Sequence, residues 1–141
     1  MLIDCDIHVG YETLLDLAPY LDPATREHVV NCGTNGLGMP SYPWYHPTGW
    51  LRNDAFDRAS AAVGAQLVGQ TLDQVRTNAL EPLELAHGIL TPDEAAAFSI
   101  IPNGILAAQL ARAYNDWLLE HWLGPEPRLR RVEVVACALP A

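Results

Sequence analysis

The sequence predicts an α/β domain built on a parallel sheet, and three observations carry that expectation. Met1 to Val9 and Leu129 to Leu139 are rich in aliphatic and β-branched residues and read as strands, and Ala86 to Leu90 reads as a third strand between them. Helical patterns fill both gaps. The order strand, helices, strand, helix, strand calls for parallel βαβ units with right-handed crossovers.

The first strand begins almost at the first residue, with Ile3, Ile7 and Val9 around the polar run Asp4-Cys5-Asp6. From Tyr11 to Val30 the residues Leu14, Leu15, Leu17, Ala18 and Leu21 suggest a short helix interrupted by Pro19, with a second turn after Asp22-Pro23. Cys32 to Asp54 is dense in Gly and Pro and carries Tyr42, Trp44, Tyr45 and Trp50, the composition of a long functional loop rather than of disorder. Ala55 to Gln70 is Ala-rich and reads as helical. Thr71 is placed to cap a helix carrying Leu72, Val75, Ala79 and Leu80, which Pro82 closes. Thr91-Pro92-Asp93-Glu94 has the hydroxyl, early proline and later glutamate of a capping box for another short helix. The clearest helix is Ile105 to Leu123, with Asn103 as its cap and Gly124-Pro125 as its stop.

Val132 to Leu139 is the nearly continuous apolar run expected of a parallel strand covered on both faces. A complete (β/α)8 TIM barrel takes about 250 residues. The 141 residues here are therefore expected to supply about the first three parallel strands of a partial barrel with their helices, one domain over 1–141 with an aromatic loop at about 32–54. Its third strand would have an exposed edge, open to self-association or to a completing chain.

Composition narrows the chemistry. Half the residues are hydrophobic and 18% are charged, which describes a globular domain. Eight Arg, no Lys and seventeen acidic residues give a net charge of −9, so the phosphate-neutralising term of nucleic-acid binding is missing. The absence of Lys excludes Schiff-base chemistry and a P-loop. Three widely spaced cysteines, acids where a signal peptide needs basic residues, and no apolar window long enough for a membrane span point to a cytoplasmic protein.

Asp6 and His8 stand two apart on the first strand, so their side chains share a face, roughly 6.6–6.8 Å apart along the backbone. Carboxylate oxygen and imidazole nitrogen are ordinary ligands of zinc and similar ions. The spacing alone leaves two readings open: a pair converging on one divalent ion, or two solvated residues at an exposed strand end. If the strand ends near Val9, both lie at the C-terminal end, where barrels of this kind keep their catalytic groups.

The segments IDCDIHVG, ALEPLELAHGILTP and LAAQLARAYNDWLLEHWLGPEPRLRRVEVVACALP together resemble the amidohydrolase-related family, the amidohydrolase 2 group that includes aminocarboxymuconate-semialdehyde decarboxylase and γ-resorcylate decarboxylase. In that family the first-strand motif is H-x-H, E-x-H or D-x-H and both ends bind metal, so the resemblance implies metal-ligand roles for Asp6 and His8. The cofactor implied is a divalent metal, zinc with manganese as the alternative. The family's further ligands, a mid-barrel His and a late Asp, would lie beyond Ala141. The reaction implied for the intact enzyme is hydrolysis or non-oxidative decarboxylation of a small aromatic or unsaturated carboxylic acid.

The other candidates have plainer readings. His28 and His46 fall in irregular segments and read as solvated, although His46 in the aromatic loop is also placed to meet a substrate. His87 is a conceivable third ligand or a satisfied strand histidine. His121, Trp117 and Trp122 sit at helical spacing and read as packing. Acids flank Cys5, a setting that disfavours the thiolate and makes it a poor nucleophile. Arg128, Arg130 and Arg131 read as solvated loop charges. Competing with the enzyme reading are a non-catalytic α/β interaction module and a truncated product with no activity of its own.

Overall fold

A computed structural model describes residues 1–11, 13–33, 71–92 and 94–136. Three strands, β1 (Leu2–Val9), β2 (Leu85–Pro92) and β3 (Leu129–Arg131), form a parallel sheet in the order β1-β2-β3. The expected α/β class and strand order are both present. The loop expected at 32–54, beyond Cys32 and Gly33, lies outside the described residues, as do the helix expected at Ala55 to Gln70 and positions 137–139 of the expected third strand.

Local chemistry starts each helix. Pro19 lies within a 3₁₀ helix, Leu14–Tyr20, which follows Thr13. Asp22 then accepts hydrogen bonds from the Ala24 and Thr25 amides and starts α1 (Pro23–Cys32), whose Pro occupies the first turn, where a missing N–H costs nothing. At the far end Gly33 takes φ +55°, a left-handed conformation suited to glycine, and returns its N–H to Val29. Thr71 and Gln74 exchange the reciprocal bonds of a capping box at α2 (Leu72–Val75), which runs on into a π-helical turn, Arg76–Leu80. Asn103 caps α3 (Gly104–Leu118) through Ile105 and Leu106, and a second π-helical turn, Leu119–Leu123, ends at Gly124. No helix among the described residues is long and apolar enough to cross a membrane.

The helices cover one face of the sheet. Ile7, Val9, Leu90 and Leu129 from the strands share one buried cluster with Leu17, Val29, Leu80, Phe98, Leu110, Tyr114 and Leu118. The Tyr114 hydroxyl donates to the Val9 carbonyl across 3.3 Å and ties the end of β1 to α3. Gly88 on β2 leaves the space that Ile7 fills: a Cβ there would stand 2.6 Å from Ile7 Cδ1 and 3.2 Å from Leu129 Cδ2.

Two expectations are corrected. Thr91 and Pro92 do not open a helix. They end β2, paired with His8 and Val9, and the next 3₁₀ helix, Glu94–Ile100, starts beyond them. The third strand is also shorter than its valine pattern suggests. Gly88 N–H donates to the Arg128 carbonyl and Val132 N–H donates to Leu90, so the next donor by two-residue alternation is position 92, a proline with no N–H. Beyond that point the Asn115 amide stands in for a strand, donating to the Val134 carbonyl and accepting from its N–H.

Of the arginines near β3, Arg130 is exposed, whereas Arg128 and Arg131 are not solvated loop charges. Arg128 grips the Glu126 carboxylate through Nε at 2.8 Å and a second nitrogen at 2.9 Å, and Arg76 reaches the same carboxylate from the α2 side at 3.0 Å. Only 6% of the Glu126 side chain is exposed. The bonds from Arg128, with those from Arg76, hold its carboxyl down at about 2 against an ordinary 4.5, overcoming the upward push of burial. Arg131 donates to the Asn115 carbonyl and pairs with Glu133.

Two outcomes follow from these contacts. The depressed Glu126 carboxyl stabilises the fold above pH 4.5, and that contribution is lost as pH falls from there towards about 2. Its size is on the order of 2–3 kcal/mol, so urea titrations should show the gap between wild type and Glu126→Gln closing over that pH window. Gly88→Ala should cost roughly 1–3 kcal/mol by overpacking. Ile7→Val removes the clashing Cδ1, so the double variant should be less destabilised than the two singles combined.

Candidate functional site

The face of the sheet opposite the helices carries the residues that alternate with the buried ones. In the register of β1 with β2, Ile7 pairs with Leu90, both buried, and His8 pairs with Thr91, so His8 and Thr91 share the other face. His8 and Asp6 are exposed, and His87, Ile89 and Thr91 are half-buried. Asp6 and His8 lie towards the C-terminal end of β1, as the sequence leads one to expect, and they meet: His8 Nε2 is 3.2 Å from Asp6 Oδ1, with the side chains 54% and 71% exposed.

Asp6 lies within a bulge, and His8 follows it. Asp4 pairs with Gly88 and Ile7 with Leu90, so β1 spends three steps where β2 spends two. The Asp6 amide is satisfied by the Asp4 carboxylate at 3.0 Å. Asp4 was not singled out by the sequence reading. The signal for it is the local habit of Asp to accept from the amide two residues on.

The distance between the two groups bears on what they can hold. Two ligands about 2.0–2.2 Å from a tetrahedral zinc lie about 3.4 Å from each other, close to the separation seen here. The same separation also serves an ion pair, which on an exposed surface contributes roughly 0.2–1 kcal/mol. The donor chemistry therefore fits a divalent metal. Their number is short of the three protein ligands of a catalytic zinc, since no group of three His, Cys, Asp or Glu side chains among the described residues is placed to hold an ion.

The remaining histidines are elsewhere. His87 Nδ1 lies 3.2 Å from the Arg128 carbonyl, lower in the sheet, where its register partner is Ile3. His28 is exposed on α1, and His46 lies outside the described residues. His121 Nε2 is 3.1 Å from the Tyr20 hydroxyl, which itself donates to Glu120 at 2.8 Å. Burial pushes that hydroxyl up to about 12, and the accepting Glu120 carboxylate adds to the shift. Trp117 and Trp122 are buried against each other, as packing residues. An open groove of about 390 Å³ between Tyr20, Asp22, Arg112 and Asp116 belongs to the helical layer, not to the face that bears Asp6 and His8.

The edge of β3 is partly closed by its own groups: Leu129 N–H donates to the Glu126 carbonyl, and the Arg130 guanidinium donates to the carbonyls of Leu129 and Pro127.

No family model matches this chain, and a search of curated proteins finds no match.

Because both partners are so exposed, the Asp6–His8 contact contributes little to folding. His8→Ala should shift the free energy of unfolding by less than about 1 kcal/mol, read from urea denaturation at neutral pH, and a larger loss would mark the pair as structural.

Proposed function

We propose that this chain forms the first three strands of an amidohydrolase-like (β/α)8 TIM barrel, and that Asp6 and His8 are two of the ligands of its divalent metal. The intact enzyme is a hydrolase or carboxy-lyase acting on a small carboxylic acid. The observation that carries this reading is the 3.2 Å approach of Asp6 Oδ1 and His8 Nε2 on a sheet face that none of the described helices covers. A parallel sheet in sequential order with its helices on one side is the arrangement of a barrel wall, and Asp6 and His8 lie towards the C-terminal strand end, where such barrels keep their catalytic groups. Exposed free thiols at Cys5 and Cys32 fit a cytoplasmic setting.

The chain's own contribution is to hold donors in place. The Asp4 carboxylate occupies the Asp6 amide at the bulge, and Tyr114 anchors the Val9 carbonyl one residue beyond His8. Zinc, or manganese in its place, would supply Lewis acidity towards the substrate carboxylic acid or its attacking water. No third protein ligand stands beside them among the described residues.

Isothermal titration of the chain with zinc and manganese chlorides tests this reading. Wild type should take up one ion per chain, and both Asp6→Ala and His8→Ala should abolish uptake while the thermal melt stays cooperative. A wild-type chain that melts cooperatively and binds neither metal would leave the interaction-module reading in its place.

A further inference from the structure

We propose that Thr91 is a positioning residue for His8, accepting a hydrogen bond from the ring nitrogen that does not face Asp6. The inference rests on the reading of Asp6 and His8 as metal ligands and adds to it a second layer of support.

Among the described residues the strand beside β1 is β2, and the residue in register with His8 there is Thr91. Adjacent strands lie about 4.8 Å apart, and burial of Ile7 and Leu90 on the helical face puts His8 and Thr91 together on the open one. The Thr91 hydroxyl has no hydrogen bond among the described residues. The helix that its sequence context suggests it would cap begins later, at Glu94. Thr91 is half-buried and β-branched, so its side chain has few rotamers to lose on accepting a partner.

His8 supplies the matching need. Its Nε2 is the atom directed at Asp6, which leaves Nδ1 as the second ring nitrogen. A histidine that ligates a metal through one nitrogen carries a proton on the other and donates it to an acceptor that holds the ring in place. A threonine oxygen can accept that bond, whereas the neighbouring open-face side chains Ile89 and Val132 have no polar atom.

Zinc titration calorimetry and thermal melts on the full chain, for wild type, Thr91→Val, Thr91→Ser, Thr91→Ala and His8→Ala, test the assignment. Thr91→Val keeps the shape and loses the acceptor, and should weaken zinc binding about tenfold with an unchanged melting temperature. Thr91→Ser should bind as wild type does. If the Val variant melts early, Thr91→Ala carries the same comparison. Wild-type affinity in the Val variant, with binding lost in His8→Ala, would overturn the role of Thr91 alone. Equal weakening in Ser and Val would reduce it to packing and overturn it as well. Zinc binding that is absent in wild type, or intact in His8→Ala, would remove the metal site and this inference with it.

Discussion

One-sided burial of a parallel sheet is the constraint on which the rest of the molecule depends. Ile7, Val9, Leu90 and Leu129 are sealed under helices, and because side chains alternate along a strand, their neighbours are turned to the opposite side. Asp6, His8 and Thr91 are thus brought together by the packing of residues that take no part in any chemistry. The same burial explains why β2 needs a glycine at position 88: Ile7 and Leu129 converge from both neighbouring strands on the space a side chain would fill.

How much of this was legible in the sequence depends on the range of the interaction responsible. Strands β1 and β2, the Asn103 cap and the Thr71 capping box are set by residues a few positions apart, and each lies where the pattern puts it. The shared face of Asp6 and His8 was legible for the same reason. Thr91-Pro92 was misread because a capping signature is local, whereas the pairing with His8 and Val9 that overrides it comes from a strand more than eighty residues away. The truncation of β3 has the same origin, since the proline that stops the ladder belongs to β2. The metal reading itself goes beyond what residue spacing can decide, because spacing brings two donors together and says nothing of a third.

Charge shows a similar division. Arg128 was read from its neighbours Arg130 and Arg131 as part of a small solvated cluster. Its role is decided by Glu126 two residues before it and by Arg76 across the fold, which together place a buried carboxylate beneath the turn that leads into β3. Two guanidinium groups around one carboxylate offset the cost of taking that charge out of water. The turn before β3 is thereby locked to α2, and with it the direction in which the strand leaves.

The bulge on β1 has a consequence for which changes this chain can tolerate. Below it Asp4 sits in register with Gly88, on the helical side of the sheet, and above it even-numbered residues look away from the helices. The added residue therefore works as a parity switch. Were β1 to pair regularly from Asp4 onward with every residue kept, Ile7 would meet Thr91 instead of Leu90, Asp6 and His8 would swing under the helices, and Ile7 and Val9 would be wetted. The bulged pairing between Asp4 and Ile7 thus matters more than the identity of Cys5 within it. Exchanging a residue there alters one contact, whereas ironing out the bulge with every residue kept inverts the polarity of the whole strand end.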